Sequence, residues 1–290
     1  MREREAGFLR LTRERVATSL QGMAEPRIVT FTTDFGLHDP FVGIMHGVVL
    51  GVHAETRIVD LCHAVPSFDV LDGAFAVAQS YRFFPPRSVH VVVVDPGVGS
   101  ARRAILAETD DYIFIAPDNG VLSLVEKREA RFTVRHITAD RYFLQPVSRT
   151  FHGRDIFSPV AGWLSKGIAP EDFGPEITDY VRLPLPGVDR DADGRVCGSV
   201  MKVDKFGNLI TNLTEIEAPE LFSGESHGLV LMVAGRAITR LCRSYAEGGD
   251  EEFFAIVGSS GYLEIAAQRA SAAEKLCVGV GEPVCVMPRE

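Results

Sequence analysis

From Arg27 onward, short β-branched runs alternate with longer segments whose apolar residues recur at helical spacing. "RIVTFTTDFG" reads as a strand that opens into a loop. In "FVGIMHGVVLGV", Phe41, Ile44, Met45, Val48 and Val49 share one helical face, and "RIVDLCHAV" is a second strand. "VLDGAFAVAQSYRFF" is a second helix, stopped by Pro85 and Pro86, and "SVHVVVVD" is a third strand. This alternation predicts an α/β domain over residues 27–183, with a central, mostly parallel sheet covered by helices. Ligands in such sheets gather where the carboxyl ends of strands open into loops, so "TTDFG" and "DPGVG" are expected on one rim.

The texture changes beyond Pro184. "GRVCGSVMKVDKFGNLITNL", "GLVLMVAGRAITRL", "EFFAIVGSSGYLEIAAQ" and "GEPVCVM" are short apolar segments divided by glycines and polar turns. They predict a smaller, antiparallel, β-barrel-like domain over residues 195–290, entered through the Pro-, Asp- and Gly-rich "LPLPGVDRDADG". Residues 1–26 are charged, lack strand character and contain a second methionine, Met23; they are read as a flexible N-terminal extension.

Composition narrows the partners. At 290 residues and 46% hydrophobic content the chain can build two domains. A net charge of -9 disfavours nucleic acid and anionic membranes, leaving a small molecule or another protein. Five cysteines, an odd number without metal-site spacing, fit small core residues in a reducing cytoplasm better than a disulfide framework. No apolar run approaches the roughly 20 residues of a membrane span.

Polar residues in the predicted loops carry the chemistry, and each has a bland reading beside the functional one. Asp34 is either a turn residue bonding nearby amides or a carboxylate that grips a vicinal diol. Asp39, before Pro40, reads as a helix N-cap. Asp95 and Arg102, seven residues apart in "VVVVDPGVGSARR", form a structural bridge or a catalytic pair at a strand end. In "TFHGRDIFSPVAGWL", Asp155 reads as a cap for the following helix, while His152 faces the rim as an acid–base candidate. Asp118 and Asn119 have the chemistry of a tight turn. "DKFGNLITN" and "GSSGYLEI" are hairpin vocabulary singly; together they offer an amide for a base and a carboxylate for an amino-acid head group.

In order, "TTDFGLHDPFVG", "VDLCHAVPSFDVLDGA", "FPPRSVHVVVVDPGVGSARR", "IAPDNGVLS", "SRTFHGRDIFSPVAGWL", "VDKFGNLITNL" and "GSSGYLEIA" resemble the S-adenosyl-L-methionine (SAM) hydroxide adenosyltransferase family, relatives of the SAM-dependent fluorinase and chlorinase. The resemblance runs from about Arg27 to the C-terminus. It implies a cytoplasmic homotrimer with SAM bound between neighbouring subunits. Asp95, Arg102 and His152 fall on the family's catalytic triad and Asp34 on its ribose-binding aspartate. Asp39, Asp204, Ser259 and Ser260 fall near the methionine moiety, Phe68 on the aromatic flanking the substrate, and Phe206 and Asn208 on the adenine side. One departure is Gly258, where relatives often carry Asn before the serine pair.

The implied reaction is attack of water or hydroxide on the ribose C5′ of SAM, giving adenosine and L-methionine, with SAM as substrate and with no cofactor or metal. Arg102 stays protonated and cannot be the base, so the proton goes to His152 or Asp95. Two other readings stay open: a SAM- or adenosine-binding sensor with little turnover, and a SAM-dependent halogenase. The halogenases carry a tyrosine at the position of Asp95, where a carboxylate would repel a halide.

Overall fold

The computed structural model describes residues 27–192, 194–222, 229–249 and 251–288; the extension expected over residues 1–26 lies outside them. The chain divides into two compact units, Met1–Leu183 and Pro184–Glu290. In the first, the described elements run β1 (Ile28–Thr33), α1 (Phe41–Val52), β2 (Arg57–Cys62), α2 (Val70–Ser80), β3 (Val89–Val93), β4 (Ala104–Glu108), β5 (Ile113–Pro117), α3 (Ser123–Glu126), β6 (Thr133–His136), α4 (Ser158–Lys166) and β7 (Glu176–Ile177). The strands form one seven-stranded sheet in the order β2-β1-β3-β5-β4-β6-β7.

Only half of that sheet is parallel. β2, β1, β3 and β5 run together, whereas β4, β6 and β7 are antiparallel additions, which corrects the mostly parallel sheet expected from the alternation. The reason is local. β4 and β5 are joined through Thr109–Tyr112, closed by the Thr109 amide donating to the Tyr112 carbonyl at 2.9 Å, and so short a link permits a hairpin but no crossover.

Strand alternation sorts the two faces. Val29, Phe31, Val89, Val91 and Val93 pack with Met45 and Val49 of α1 and Val160 and Leu164 of α4. The buried face of α1 is Val42, Met45 and Val49, while Phe41 and Ile44, expected on the core face, are partly exposed. On the other face α2 sits close to the sheet: a Cβ on Gly73 would lie 2.8 Å from Val94 Cγ2, so this helix position has room only for glycine.

The chain leaves β1 toward β2 on one side, and leaves β3 toward the β5–β4 side. Neighbouring strands β1 and β3 therefore send their loops in opposite directions, which opens a crevice at their carboxyl ends. Thr33 pairs with Val93 there, so Asp34 and Asp95 both emerge at that point.

The second unit contains β8 (Asp189–Arg190), β9 (Val196–Val203), β10 (Leu209–Thr214), β11 (Leu229–Val233), β12 (Arg236–Ile238), β13 (Leu241–Cys242), β14 (Phe253–Val257), β15 (Tyr262–Ala267) and β16 (Pro283–Pro288). They make one curled sheet in the order β12-β11-β16-β9-β10-β15-β14-β13, with β8 on β9. Every pairing is antiparallel except β13 with β14. The cysteine reading needs correction here. Cys197 and Cys285 face each other across β9 and β16, their Cα atoms 4.1 Å apart, and are joined as a disulfide. Their separation of 88 residues hid a pairing that strand register creates. Cys242 is buried as expected, but Cys62 is half-buried and Cys277 exposed. No described helix is long and apolar enough to cross a membrane.

His90, on β3, is fully buried among the rings of Tyr81, Phe84, Tyr112 and Phe114, with Nδ1 2.8 Å from Thr30 Oγ1. Burial alone pushes its pKa down to about 3. The unfolded chain therefore binds a proton below the ordinary histidine value that the folded chain refuses, and stability falls as pH drops through that window. Urea-unfolding free energies measured across mildly acidic pH are expected to fall about 1.4 kcal/mol per pH unit more steeply in the wild type than in His90→Gln. Equal slopes would show that His90 contributes nothing to acid sensitivity.

Candidate active site

The loop after β3 is wound by short-range bonds: the Val98 amide donates to the Asp95 carbonyl and the Ser100 amide to that of Gly97. Gly99 has φ 77°, and a Cβ there would stand 2.1 Å from the Arg149 carbonyl oxygen. Only glycine lets this loop lie against the segment leading to His152. Arg102 then turns back on Asp95. Its Nε donates to Oδ1 at 2.9 Å, its Nη2 donates to Oδ2, and the same Nη2 donates to His152 Nδ1 at 2.7 Å. The Asp95 and Arg102 side chains are only 5% and 9% exposed, and the guanidinium lies 5.4 Å from the centre of the Phe157 ring.

A residue read from sequence only as part of a turn holds this assembly in place. Asn119 Nδ2 donates to the Val94 carbonyl at 2.8 Å, pinning the strand end immediately before Asp95. Its neighbour Asp118 is buried, paired with Arg103, and accepts the Val181 amide. The "PDN" string was legible as a turn, but its long-range partners were not.

His152 stands at the entrance to a π-helical turn, Gly153–Phe157, that continues into α4. Such turns widen a helix locally and often accompany functional sites. Asp155 is not a helix cap, contrary to the expectation. It is fully buried inside the π turn, accepts the Ser148 amide at 2.8 Å and pairs with Arg154, so it anchors the loop before His152. Burial first, and the Arg102 charge second, hold the His152 pKa below its ordinary value, while Asp95 and Asp155 oppose them. A guanidinium can only donate, so Nδ1 accepts and the proton of the neutral ring sits on Nε2.

Across the crevice, Asp34 Oδ2 accepts the Phe68 amide at 2.9 Å. Phe68 is held at φ 69° with its ring 70% exposed, an uncommon backbone for a bulky residue on the rim. Asp39 is exposed and does not cap α1, whose start has no side-chain cap. The rings of Phe35, Phe41 and Phe151 meet at 5.3–6.0 Å, joining the Asp34 loop to the residue before His152.

In the second unit, Asp204 Oδ1 accepts the amides of Phe206 and Asn208 while Oδ2 accepts Asn208 Nδ2. Asp204 thereby shapes the β9–β10 turn and leaves the Phe206 ring 76% exposed. Ser259 and Ser260 occupy the tip of the β14–β15 hairpin, closed by Gly258 and Gly261. A Cβ on Gly258 would lie 1.8 Å from Glu264 Oε1, so this buried carboxylate fills the space a side chain at 258 would need. Glu264 accepts the Tyr245 hydroxyl at 2.9 Å, and burial, with Asp204 adding to it, raises its pKa. Glu264 was not singled out from sequence, because its β-strand position gives no sign that it points at a turn.

A carboxylate, a guanidinium and an imidazole locked together at the switch point of an α/β sheet have the layout of a small-molecule enzyme site. Residues 29–174 match the SAM hydroxide adenosyltransferase N-terminal domain and residues 198–285 its C-terminal domain, and the chain belongs to this family. It is 44% identical over 192 residues to the (R)-S-adenosyl-L-methionine hydrolase of Salinispora tropica, covering 64% of this chain and 72% of that one. The hydrolase of the same name from Thermus thermophilus is 36% identical, over 89% of this chain and 98% of its own length. A fluorinase from Nocardia brasiliensis is more distant, 26% identical over 85% of this chain and 92% of its own. Among solved structures, an uncharacterized conserved protein from Thermotoga maritima superimposes with a TM-score of 0.81 at 32% identity, over 89% of this chain and 99% of that one.

The triad geometry makes a spectroscopic prediction. Nitrogen shifts of the His152 ring at neutral pH are expected to report the neutral Nε2–H tautomer, and Arg102→Gln is expected to raise the His152 pKa by removing the charge that lowers it. A pKa that stays put or falls in that variant would mean the guanidinium exerts no control over the ring.

Proposed function

We propose that this chain hydrolyses SAM at the ribose C5′, releasing adenosine and L-methionine. The observation that carries the reading is the Asp95–Arg102–His152 triad, assembled at the mouth of the crevice with Asp34 opposite. Relatives at 30–44% identity bear the hydrolase name, which supports the same chemistry here.

The roles follow from the hydrogen bonds. Water attacks C5′ in line with the C5′–S bond, the C–O bond forms as C–S breaks, and the electron pair leaves with methionine. The water's proton must go to a group with a free lone pair. His152 Nδ1 is occupied by Arg102 and Nε2 carries the ring proton, so His152 orients the water or the substrate as a donor. Asp95 accepts two bonds from Arg102, yet a carboxylate offers about four acceptor sites, and it takes the proton. Arg102 fixes both partners and stabilises developing negative charge on the attacking oxygen.

Asp34 holds the ribose hydroxyls and Phe68 covers the sugar. Asp39, Asp204, Ser259 and Ser260 serve the methionine end, and Phe206 and Asn208 the adenine. The exposed rings of Phe68 and Phe206 fit a homotrimer in which a neighbouring subunit completes each site, and sedimentation of the active sample reads that assembly. A carboxylate at position 95 sets this reaction apart from halide transfer, since it repels an incoming anion and organises water.

The test is turnover of SAM in 18O-labelled water. Adenosine labelled at its 5′ oxygen is expected, with kcat reduced about 100-fold or more in Asp95→Asn. The acid limb of kcat/KM is expected below the ordinary histidine pKa, because protonated Nδ1 can no longer accept from Arg102. SAM bound but recovered intact would favour a sensor, and a halide-dependent 5′-halo product a halogenase.

A further inference from the structure

Besides the triad, three other side chains converge at the edge of the sheet. His46 from α1, Asp60 from β2 and His63 just beyond β2 bring one ligand atom each within 4.8 Å of one another. His46 Nε2 and His63 Nε2 both lie 2.9 Å from the same oxygen, Asp60 Oδ1. A carboxylate bridging two imidazoles by hydrogen bonds is the bland account, and one detail opposes it. His63 is only 7% exposed, and its Nε2 is buried without an aligned hydrogen-bond partner despite being so close to Asp60. A buried ring nitrogen 2.9 Å from a carboxylate oxygen yet off the hydrogen-bond axis is a polar atom that its protein neighbours leave unsatisfied.

The surroundings hold these ligand atoms in position. His63 Nδ1 lies 2.9 Å from the buried Thr33 Oγ1, which fixes the ring and turns Nε2 toward Asp60 and His46. The His46 ring packs against Phe31, 5.1 Å between centres. Asp60 is 41% exposed, so the side of the cluster away from His63 is open to solvent. Two imidazole nitrogens and one carboxylate oxygen with an open position form the donor set of zinc-type and related divalent sites.

We infer that His46, Asp60 and His63 bind one divalent transition-metal ion of the zinc type, with a solvent molecule completing its coordination. The ion joins α1 to edge strand β2. It also braces the crevice, because Thr33 precedes Asp34 and the His63 carbonyl accepts the Gly36 amide at 2.8 Å. Its ligands are distinct from Asp95, Arg102 and His152, and the ion takes no part in the proposed hydrolysis.

The test uses the full chain stripped with a chelator and titrated with Zn(II) alone, followed by Co(II) as an optical probe. One ion per chain is expected, with visible Co(II) bands of four- or five-coordinate geometry and a higher thermal midpoint when loaded. Thr33→Val is expected to weaken binding about 10–100-fold, and the ligand variants His46→Ala and Asp60→Asn to weaken it further. Circular dichroism of metal-free His46→Ala, altered at a half-exposed position, verifies that the fold survives. Absence of stoichiometric binding overturns the inference. So does binding that persists in His46→Ala, or that vanishes instead on replacing Cys62 or Cys277 with serine.

Discussion

A guanidinium almost stripped of water has to be met by opposite charge, and at Arg102 that requirement organises the whole catalytic rim. The side chain spends two donors on Asp95 and shares one of them with His152. Removing one partner of such a buried pair leaves an uncompensated charge, a loss of about 3–5 kcal/mol. The "DPGVGSARR" loop therefore has one strongly favoured conformation, the one in which its two ends meet. His152 follows as a consequence, since the direction of the Arg102 donor dictates which ring nitrogen is free to carry a proton.

That pair would have nothing to act on without a scaffold that is itself unrelated to charge. Gly99 lets the loop touch the backbone at Arg149, Asn119 holds the last carbonyl of the β3 strand end, and three phenylalanine rings join the Asp34 loop to His152. Each is a packing or backbone constraint. They place ionised groups at hydrogen-bond distance and keep water out between them, and this is how a rim of loops acquires the rigidity of a core.

Much of this was legible in the chain. β-Branched runs ending in Asp-Pro-Gly or Asp-Phe-Gly marked strand ends, so Asp34 and Asp95 there, and His152 before an apolar helix, were singled out as functional candidates beside their ordinary structural readings. Readings that depended on local capping rules fared worse. Asp39 and Asp155 both precede apolar helical segments, yet neither caps a helix: α1 starts after Pro40 without a side-chain cap, and Asp155 is enclosed in a π turn with Arg154. Local rules assume that a side chain has only its neighbours to bond, and Asp155 is instead fully buried and bonded to the Ser148 amide.

By itself the amino-acid order determined the strand and helix texture, the change of architecture near Pro184, the residue types on the rim and, through seven ordered motifs, the family. These are properties of periodicity and of short-range chemistry, which need no knowledge of what lies across the fold. Tertiary structure decided the rest. The antiparallel half of the sheet, the Cys197–Cys285 bridge, the Glu264 carboxylate under Gly258, the pin from Asn119 to Val94 and the meeting of His46, Asp60 and His63 all join residues through strand register or helix packing. Register and packing are settled by the burial of whole faces at once, so no single stretch of sequence carries them.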